Sequence, residues 1–489
     1  MTSKVFDLLL KNVRVVRPLQ AVVEAGDIGV KDGRIERVGP GIAAEQAERV
    51  VDGKGRLAFP GVVDPHMHTG IYAPLAEDAV SESRAAAQGG VTSSLNYFRT
   101  GQYYLNKGGP YAGFFPEVRA ISDGRFHVDY GFHLAPMDRT HIEEIPMLVD
   151  QHGVTSFKIY MFYGGYGLHG ASSKQHEFLM IAEEEKYDIA HFEFVMRGIQ
   201  RAMQRYPDKK DVISLSLHCE TAEIMAAYTK MVQEEGKLSG LKAYSAARPP
   251  HSEGLAICIA SYLAHETECA NINLLHLTSR KAVEAALKMA EAFPQVNFRR
   301  EVTVGHLMMD YNVETGVLAK VNPPIRSPED VDYLWQALLE GKLDWVCSDH
   351  ACCRHEMKVN AGKPGEVFLA KSGFGGTEYL LSGLHTGGKR RGLSLNRMAE
   401  LSSWNASRRY GLFSKGDLAP GYDADIALFD PDLTFTVRAA ESESTQGYTP
   451  FEGQELNGKV VSTFLRGELI YHEGKIIGPA RGRYLQRPC

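Results

Sequence analysis

Between residues 57 and 349 the sequence returns eight times to a short run of β-branched and aromatic residues. The runs lie near 57–66, 91–98, 126–134, 155–162, 213–219, 271–277, 297–304 and 344–349. Between most of them the pattern turns helical, as in VSESRAAAQGG (80–90), HFEFVMRGIQRAMQRY (191–206) and SRKAVEAALKMAEAF (279–293). Alternation of this kind builds parallel sheets, because a crossover between parallel strands needs a connection of helical length. Eight repeats over roughly 350 residues predict a (β/α)8 barrel. An open, doubly wound sheet is the competing reading, but the glycine-rich dinucleotide fingerprint is missing.

Both ends read as β structure of another kind. Residues 6–51 alternate short apolar runs with turns, and Asp32-Gly33 has the form of a two-residue hairpin loop. Residues 421–477 repeat the pattern, with turns at Arg466-Gly467 and Glu473-Gly474. Two β-rich ends around a different middle predict one small β-sandwich assembled from both. On that reading residues 1–58 and 416–489 (the latter with a tail) form the sandwich, and 59–415 form the barrel. Two separate β flaps are the alternative.

The apolar run LAFPGVVDPHMH (57–68) ends in Asp64, His66 and His68. Side chains on a strand alternate faces, so His66 and His68 point to one side, where two imidazoles can grip a metal ion. Eighteen histidines in 489 residues would give roughly 0.7 such pairs by chance, so the pair alone decides little. Asp64 on the same face, at the end of a buried strand, makes the metal reading stronger than that of two satisfied core histidines. Barrel enzymes carry their chemistry at strand carboxyl ends, and polar residues collect at other ends too. Run four carries Lys158 and ends at Tyr163; run five ends in His218, run six in His276, and run eight in Asp349-His350. Each singly has a structural explanation, such as a histidine bonded to a carbonyl or an aspartate capping a helix. Their gathering in one barrel favours a metal centre.

Lys158 sits inside SFKIYMF, where an ammonium is costly to bury unless paired or modified. A neutral amine can add CO2 and become a carbamate, an anion with two oxygens able to bridge two metals. A buried lysine–carboxylate pair is the ordinary alternative.

Composition is that of a soluble enzyme. The chain is 44% hydrophobic and 23% charged, with a net charge of −6 and no basic cluster, which gives no support for nucleic-acid or membrane-surface binding. No apolar stretch reaches membrane-spanning length, and the run near the start is too short for a signal sequence. The seven cysteines are odd in number and lack Cys-x-x-Cys spacing; reduced thiols in a cytoplasmic protein are the expectation. Cys352 and Cys353 follow Asp349 closely but have no evident base partner.

DPHMH, AAAQGGVT, SFKIYMFY, HCE, ARPPHSEGLAI, LLHLTS, KVNPPIR, SDHACC, GFGGTE, WNASRRYGL and APGYDADIALFDPD occur in this order over some 400 residues. Together they resemble the amidohydrolase superfamily, in its cyclic-amidase branch of hydantoinases, dihydropyrimidinases, allantoinases and dihydroorotases. The resemblance implies two zinc ions per chain. His66 and His68 would hold the more buried one, which Asp349 completes, and His218 and His276 the other. N6-carboxylated Lys158 would bridge them. It implies attack on a ring amide by metal-bound hydroxide, since a metal pair lowers the pKa of a shared water towards about 7. Tyr163 is then the expected donor to the oxyanion, and Asp349 the group that carries the proton to the departing nitrogen. His350 is a candidate to orient Asp349, with a structural role as the alternative. Asn322 and Gly373 are the expected substrate contacts. Relatives are commonly dimers or tetramers, so a homo-oligomer is expected.

The motifs do not agree on one ring. Tyr163, five residues after Lys158, looks like hydantoinases and dihydropyrimidinases. Asn322-Pro323-Pro324-Ile325-Arg326 looks more like allantoinase or dihydroorotase. Where dihydroorotases place an arginine after His-x-His, this sequence has Thr69-Gly70-Ile71-Tyr72, and losing that buried partner disfavours a carboxylate substrate. The expectation is therefore a zinc-dependent hydrolase of a hydantoin, dihydropyrimidine or related ring. An allantoinase, or a hydrolase of another cyclic imide or lactam, is the alternative, and a non-catalytic scaffold the rival from another class. The segment YGGYGLHG (163–170) reads as a lid over the barrel mouth. Among Tyr97, Phe98, Tyr160, Phe162 and Tyr166, some are candidates for a pocket around an apolar ring substituent.

Overall fold

The computed structural model describes residues 4–167 and 174–489. Eight parallel strands form the central sheet: β1 (Val62–Met67), β2 (Val91–Phe98), β3 (Asp129–Leu134), β4 (Ser156–Tyr160), β5 (Ser214–His218), β6 (Asn271–Leu274), β7 (Asn297–Thr303) and β8 (Trp345–Cys347). Each pairs with its sequence neighbour in parallel register. The sheet closes where Met67 bridges His350 and the His68 amide donates to the His350 carbonyl at 2.7 Å. The fold is a (β/α)8 barrel with helices outside, such as Leu75–Gln88, Ile189–Arg205 and Arg280–Ala292. The three helical patterns read from sequence fall on these helices.

A second sheet draws on both ends of the chain. Its path runs Lys475–Ile476, Glu468–His472, Glu455–Leu465, Ile426–Thr436, Leu57–Pro60, Phe6–Val15, Glu24–Lys31 and Arg34–Gly39, and Ala47–Asp52 pairs beside Phe6–Val15. The two halves share a core in which Leu8, Leu10, Val13 and Ile28 pack with Ile426, Leu428, Val461 and Phe464. The three hairpin loops read from sequence each hold both central residues at positive φ: Asp32-Gly33 at 50° and 77°, Arg466-Gly467 at 49° and 74°, Glu473-Gly474 at 43° and 86°. That is the turn whose twist matches the flanking strands.

The apolar run at 57–66 is two strands rather than one. Leu57–Pro60 pairs antiparallel with Ile426–Phe429 in the second sheet, and Val62 begins the barrel. Gly61 is the crossing point, its amide on Asp425 O at 2.8 Å. Periodicity cannot show a change of sheet inside an uninterrupted apolar stretch.

The barrel's opposite end is stoppered by the tail. Gly482 and Leu485 donate to Phe126 O and Tyr130 O at 2.9 and 2.7 Å, and the buried Arg487 reaches Ser156 Oγ at 2.7 Å. A Cβ on Gly482 would lie 1.9 Å from Val128 O, so only glycine permits the approach. Among the described residues no helix is long and apolar enough to cross a membrane, and all seven cysteines are free.

Candidate active site

The strand ends bring the residues named from the sequence into one place. His66 and His68 lie at the end of β1, Lys158 within β4, His218 at the end of β5, and His276 and Asp349 two residues past β6 and β8. Asp349 Oδ1 is 3.1 Å from His66 Nε2 and 3.3 Å from His68 Nε2. Lys158 Nζ is 3.3 Å from His66 Nε2. The His276 ring lies 4.4 Å from that of His218 and 5.4 Å from that of His66, centroid to centroid. His276 and Asp349 hold φ at 35° and 53°. Left-handed backbone costs a non-glycine residue about 1–3 kcal/mol and persists where its surroundings over-determine it; here it turns two side chains off their strands towards the same point.

A second layer fixes which nitrogen each imidazole offers. His66 Nδ1 is bonded to Glu301 Oε1 at 2.7 Å, leaving Nε2 towards Asp349 and Lys158. His68 Nδ1 meets Tyr104 Oη at 3.3 Å, leaving Nε2 towards Asp349. His218 Nε2 is bonded to Glu220 Oε2 at 2.7 Å, leaving Nδ1, and Arg248 in turn grips Glu220. His276 Nδ1 is buried without a hydrogen-bond partner among the described residues.

Electrostatics favour the same use. Burial pushes His68 down to about 3 and His218 down to about 4, and holds His276 well below its ordinary value, so these rings are neutral, the form that binds a metal. Burial opposes ionisation of Asp349, but His66, His68 and Lys158 hold its carboxyl below the usual range. Burial pushes Lys158 down to about 8, so its neutral amine is accessible. Neutral imidazoles, an ionised carboxylate and an unpaired buried nitrogen fit a metal centre. His66, His68 and Asp349 bring one donor atom each within 4.8 Å of one another.

His68, Lys158, His218, His276 and Asp349 line one cavity. Tyr163 and Asn322 border it, and Ile71, Tyr72, Tyr104, Phe162 and Val321 make much of its wall apolar. Gly373 also borders it, but its amide already donates to Lys320 O at 3.0 Å and its carbonyl accepts from Lys358 Nζ at 2.7 Å. A larger groove beside helices Arg139–His152 and Ile189–Arg205 carries none of these residues.

Other residues singled out in the sequence fall elsewhere. His350 bonds through its side chain to Glu82 at 2.7 Å and to the Gly376 amide at 3.1 Å, not to Asp349. Asp64 stitches β1 to β8, accepting from Ser348 N at 3.1 Å and from Thr377 Oγ1 at 2.8 Å. Cys352 and Cys353 are buried, and burial pushes the Cys353 thiol up to about 11, which removes its nucleophilic form. Of the aromatic residues, Tyr160 and Phe162 border the cavity, Tyr97 lies under the Lys158 ammonium at 4.0 Å, and Phe98 and Tyr166 pack in the core. Residues 168–170 of the expected lid lie outside the described residues.

The profile described as Amidohydrolase family matches residues 258–470. The allantoinase of Rubrobacter xylanophilus is 30% identical over 489 residues, covering 98% of each chain. The chain belongs to the amidohydrolase family. This amidohydrolase is also 27% identical to the D-hydantoinase of Ralstonia pickettii, over 98% of this chain and 99% of that one. Among solved structures it is similar to the dihydropyrimidinase of Brevibacillus agri, with a TM-score of 0.82 at 26% identity, covering 98% of both chains. It is a hydrolase by this kinship. Glu301, Glu220 and Tyr104 adjoin this candidate site, and sequence reasoning gave them no role. Glu301 was visible as a carboxylate inside the β run NFRREVTV, and Glu220 within the HCE motif.

Proposed function

We propose that this amidohydrolase opens a cyclic amide ring, and that its preferred substrates are hydantoins or dihydropyrimidines with an apolar substituent. The observation that carries the reading is the clustering of His68, Lys158, His218, His276 and Asp349 on one largely apolar cavity bordered by Tyr163 and Asn322, with His66 against Asp349 and Lys158. On this reading His66, His68 and Asp349 would hold one zinc ion and His218 and His276 another, with carboxylated Lys158 as a ligand to both. When bound, such a pair supplies Lewis acidity and makes water nucleophilic at neutral pH.

The chain's own residues do the rest. Asp349 accepts a proton from the attacking water at the oxygen the imidazoles leave open, and delivers it to the ring nitrogen as the C–N bond breaks. Tyr163 donates its hydroxyl proton in a hydrogen bond to the carbonyl oxygen as negative charge develops there. Asn322, whose Oδ1 accepts from the Tyr244 hydroxyl, is held to present the rest of its polar edge to the ring amide. The apolar wall of Ile71, Tyr72 and Phe162 receives the substituent. Among the described residues Lys158 is the only lysine or arginine bordering the cavity, and once carbamylated it offers no cation to a substrate carboxylate, which argues against dihydroorotate.

The run Asn322–Arg326 and the Rubrobacter relative favour a second reading, allantoinase. Initial rates of the zinc-loaded protein on dihydrouracil, hydantoin, 5-phenylhydantoin, allantoin and dihydroorotate separate the two. The expected order has 5-phenylhydantoin ahead of allantoin in kcat/KM; the reverse order establishes the second reading. No ring opening in a protein carrying two zinc ions per chain refutes both. A homo-oligomer is part of the proposal and is tested by light scattering.

A further inference from the structure

Arg99 follows the last residue of β2 and is fully buried. A guanidinium removed from water is costly unless a carboxylate or a full set of acceptors compensates it. Arg99 has neither among the described residues. Its Nη1 donates to Thr100 O at 2.8 Å, and Nε and Nη2 have no hydrogen-bond partner. What surrounds it is aromatic: its guanidinium carbon lies 4.8 Å from the Tyr104 ring centroid, 5.2 Å from that of Tyr163 and 4.7 Å from that of Phe178. Cation–π contact compensates a buried charge only in part. The cage is tight, since a Cβ on Gly101 would come within 2.6 Å of Nη1.

The cage opens onto the active site through two of its members. Tyr104 and Tyr163 both border the cavity, and Tyr104 touches His68. Tyr163 is fixed from other sides by stacking on Tyr160 at 4.5 Å and by edge contact with Phe178 at 5.1 Å. A positive charge beside a phenol stabilises its phenolate form, which makes the O–H more acidic and a stronger donor. Burial raises the Tyr163 phenol, and the charge of Arg99 opposes that rise.

We propose that Arg99 is a positioning residue for ring opening, whose caged, carboxylate-free guanidinium holds and polarises the Tyr163 hydroxyl against the developing oxyanion. The inference rests on the reading of Tyr163 as that donor. A residue that merely filled space here would do as well without its charge, so a neutral side chain of similar length discriminates.

The test is a double-mutant cycle on the zinc-loaded protein with 5-phenylhydantoin, using R99M, Y163F and the pair, with R99K as the charge-conserving control. Expected for R99M is a kcat lowered about 10- to 100-fold, the range for groups that support a reacting one, with KM nearly unchanged. R99K should recover part of the loss. In the Y163F background, R99M should lower kcat no further, because the group it acts through is gone. A loss in the double variant equal to the product of the single losses overturns the proposal. Unchanged kcat in Y163F overturns the reading of Tyr163 instead, so the two failures are distinct. If circular dichroism shows R99M unfolded, the same cycle with R99K decides between additive and non-additive behaviour.

Discussion

Replacing Glu301 with glutamine isolates the layer that aims His66, one of the imidazoles proposed to hold a metal. The carboxylate receives three donors, His66 Nδ1 at 2.7 Å and the His276 amide at 3.1 Å on Oε1, and Trp345 Nε1 at 2.9 Å on Oε2. A glutamine amide has one oxygen and one NH2 group, so in either orientation a buried donor faces another donor. With the oxygen kept towards His66, Trp345 loses its acceptor, at a cost of about 1–3 kcal/mol. The bond to His66 meanwhile changes from charge-assisted to neutral, at roughly half the strength. The expected outcome is a metal-free protein less stable by about 2 kcal/mol and a metal affinity lower by about 10- to 100-fold. Competition for zinc against a chromogenic chelator measures the second quantity, and guanidinium chloride unfolding of the metal-free protein the first. Reduced stability with unchanged zinc affinity would show that Glu301 serves only the barrel interior and would refute its role in aiming His66.

Lys158→Ala should lower kcat by about 100-fold or more, beyond the range for supporting residues, and a short carboxylic acid added to the assay should restore part of it; full activity in the variant ends the bridging role. Exhaustive chelation should abolish ring opening and zinc should restore it, whereas activity that survives with no metal by elemental analysis contradicts the proposed chemistry. In the metal-free protein His68 and His218 stay neutral down to about 3 and about 4, while in the unfolded chain they take up protons below about 6.5. The unfolded state then binds more protons, so stability falls as pH drops through that window, by about 2 kcal/mol per histidine at pH 5; a denaturation midpoint that does not move between neutral pH and pH 5 shows the rings are charged in the fold. Cys352→Ala and Cys353→Ala should each retain kcat within about twofold, since buried thiols without a base are inert; a large loss in either would return a thiol to the mechanism.

The site was legible in the sequence where chemistry and local period coincide. His66 and His68 share a strand face, and Lys158 is conspicuous because an ammonium inside an apolar run needs an explanation. Glu301 and Arg99 announce nothing locally. Each acquires meaning only from its surroundings in the fold: Glu301 from His66, far along the chain, and Arg99 from the lack of a carboxylate around it among the described residues, which no linear pattern displays. The hairpins at Asp32-Gly33 and Glu473-Gly474 were legible because positive φ at two successive positions restricts composition. The division of 57–66 at Gly61 was not, because both sheets ask for the same apolar residues. Similarly, His350 beside Asp349 suggested a shared task, yet adjacent residues past a strand end point apart, and its side chain went to Glu82.

The second sheet sets a schedule for synthesis. Its strands at Phe6–Val15 and Leu57–Pro60 leave the ribosome early and pair with each other, but the other edge of Leu57–Pro60 is covered only when Ile426–Thr436 emerges. At about 5–20 residues per second, that interval lasts roughly 20–70 s. Throughout it, an apolar strand edge built from Leu57, Ala58 and Phe59 stands open in the nascent chain, long enough to recruit chaperones or a neighbouring polypeptide. Yield in a heterologous host should therefore respond to elongation rate and temperature more than to the stability of the finished enzyme.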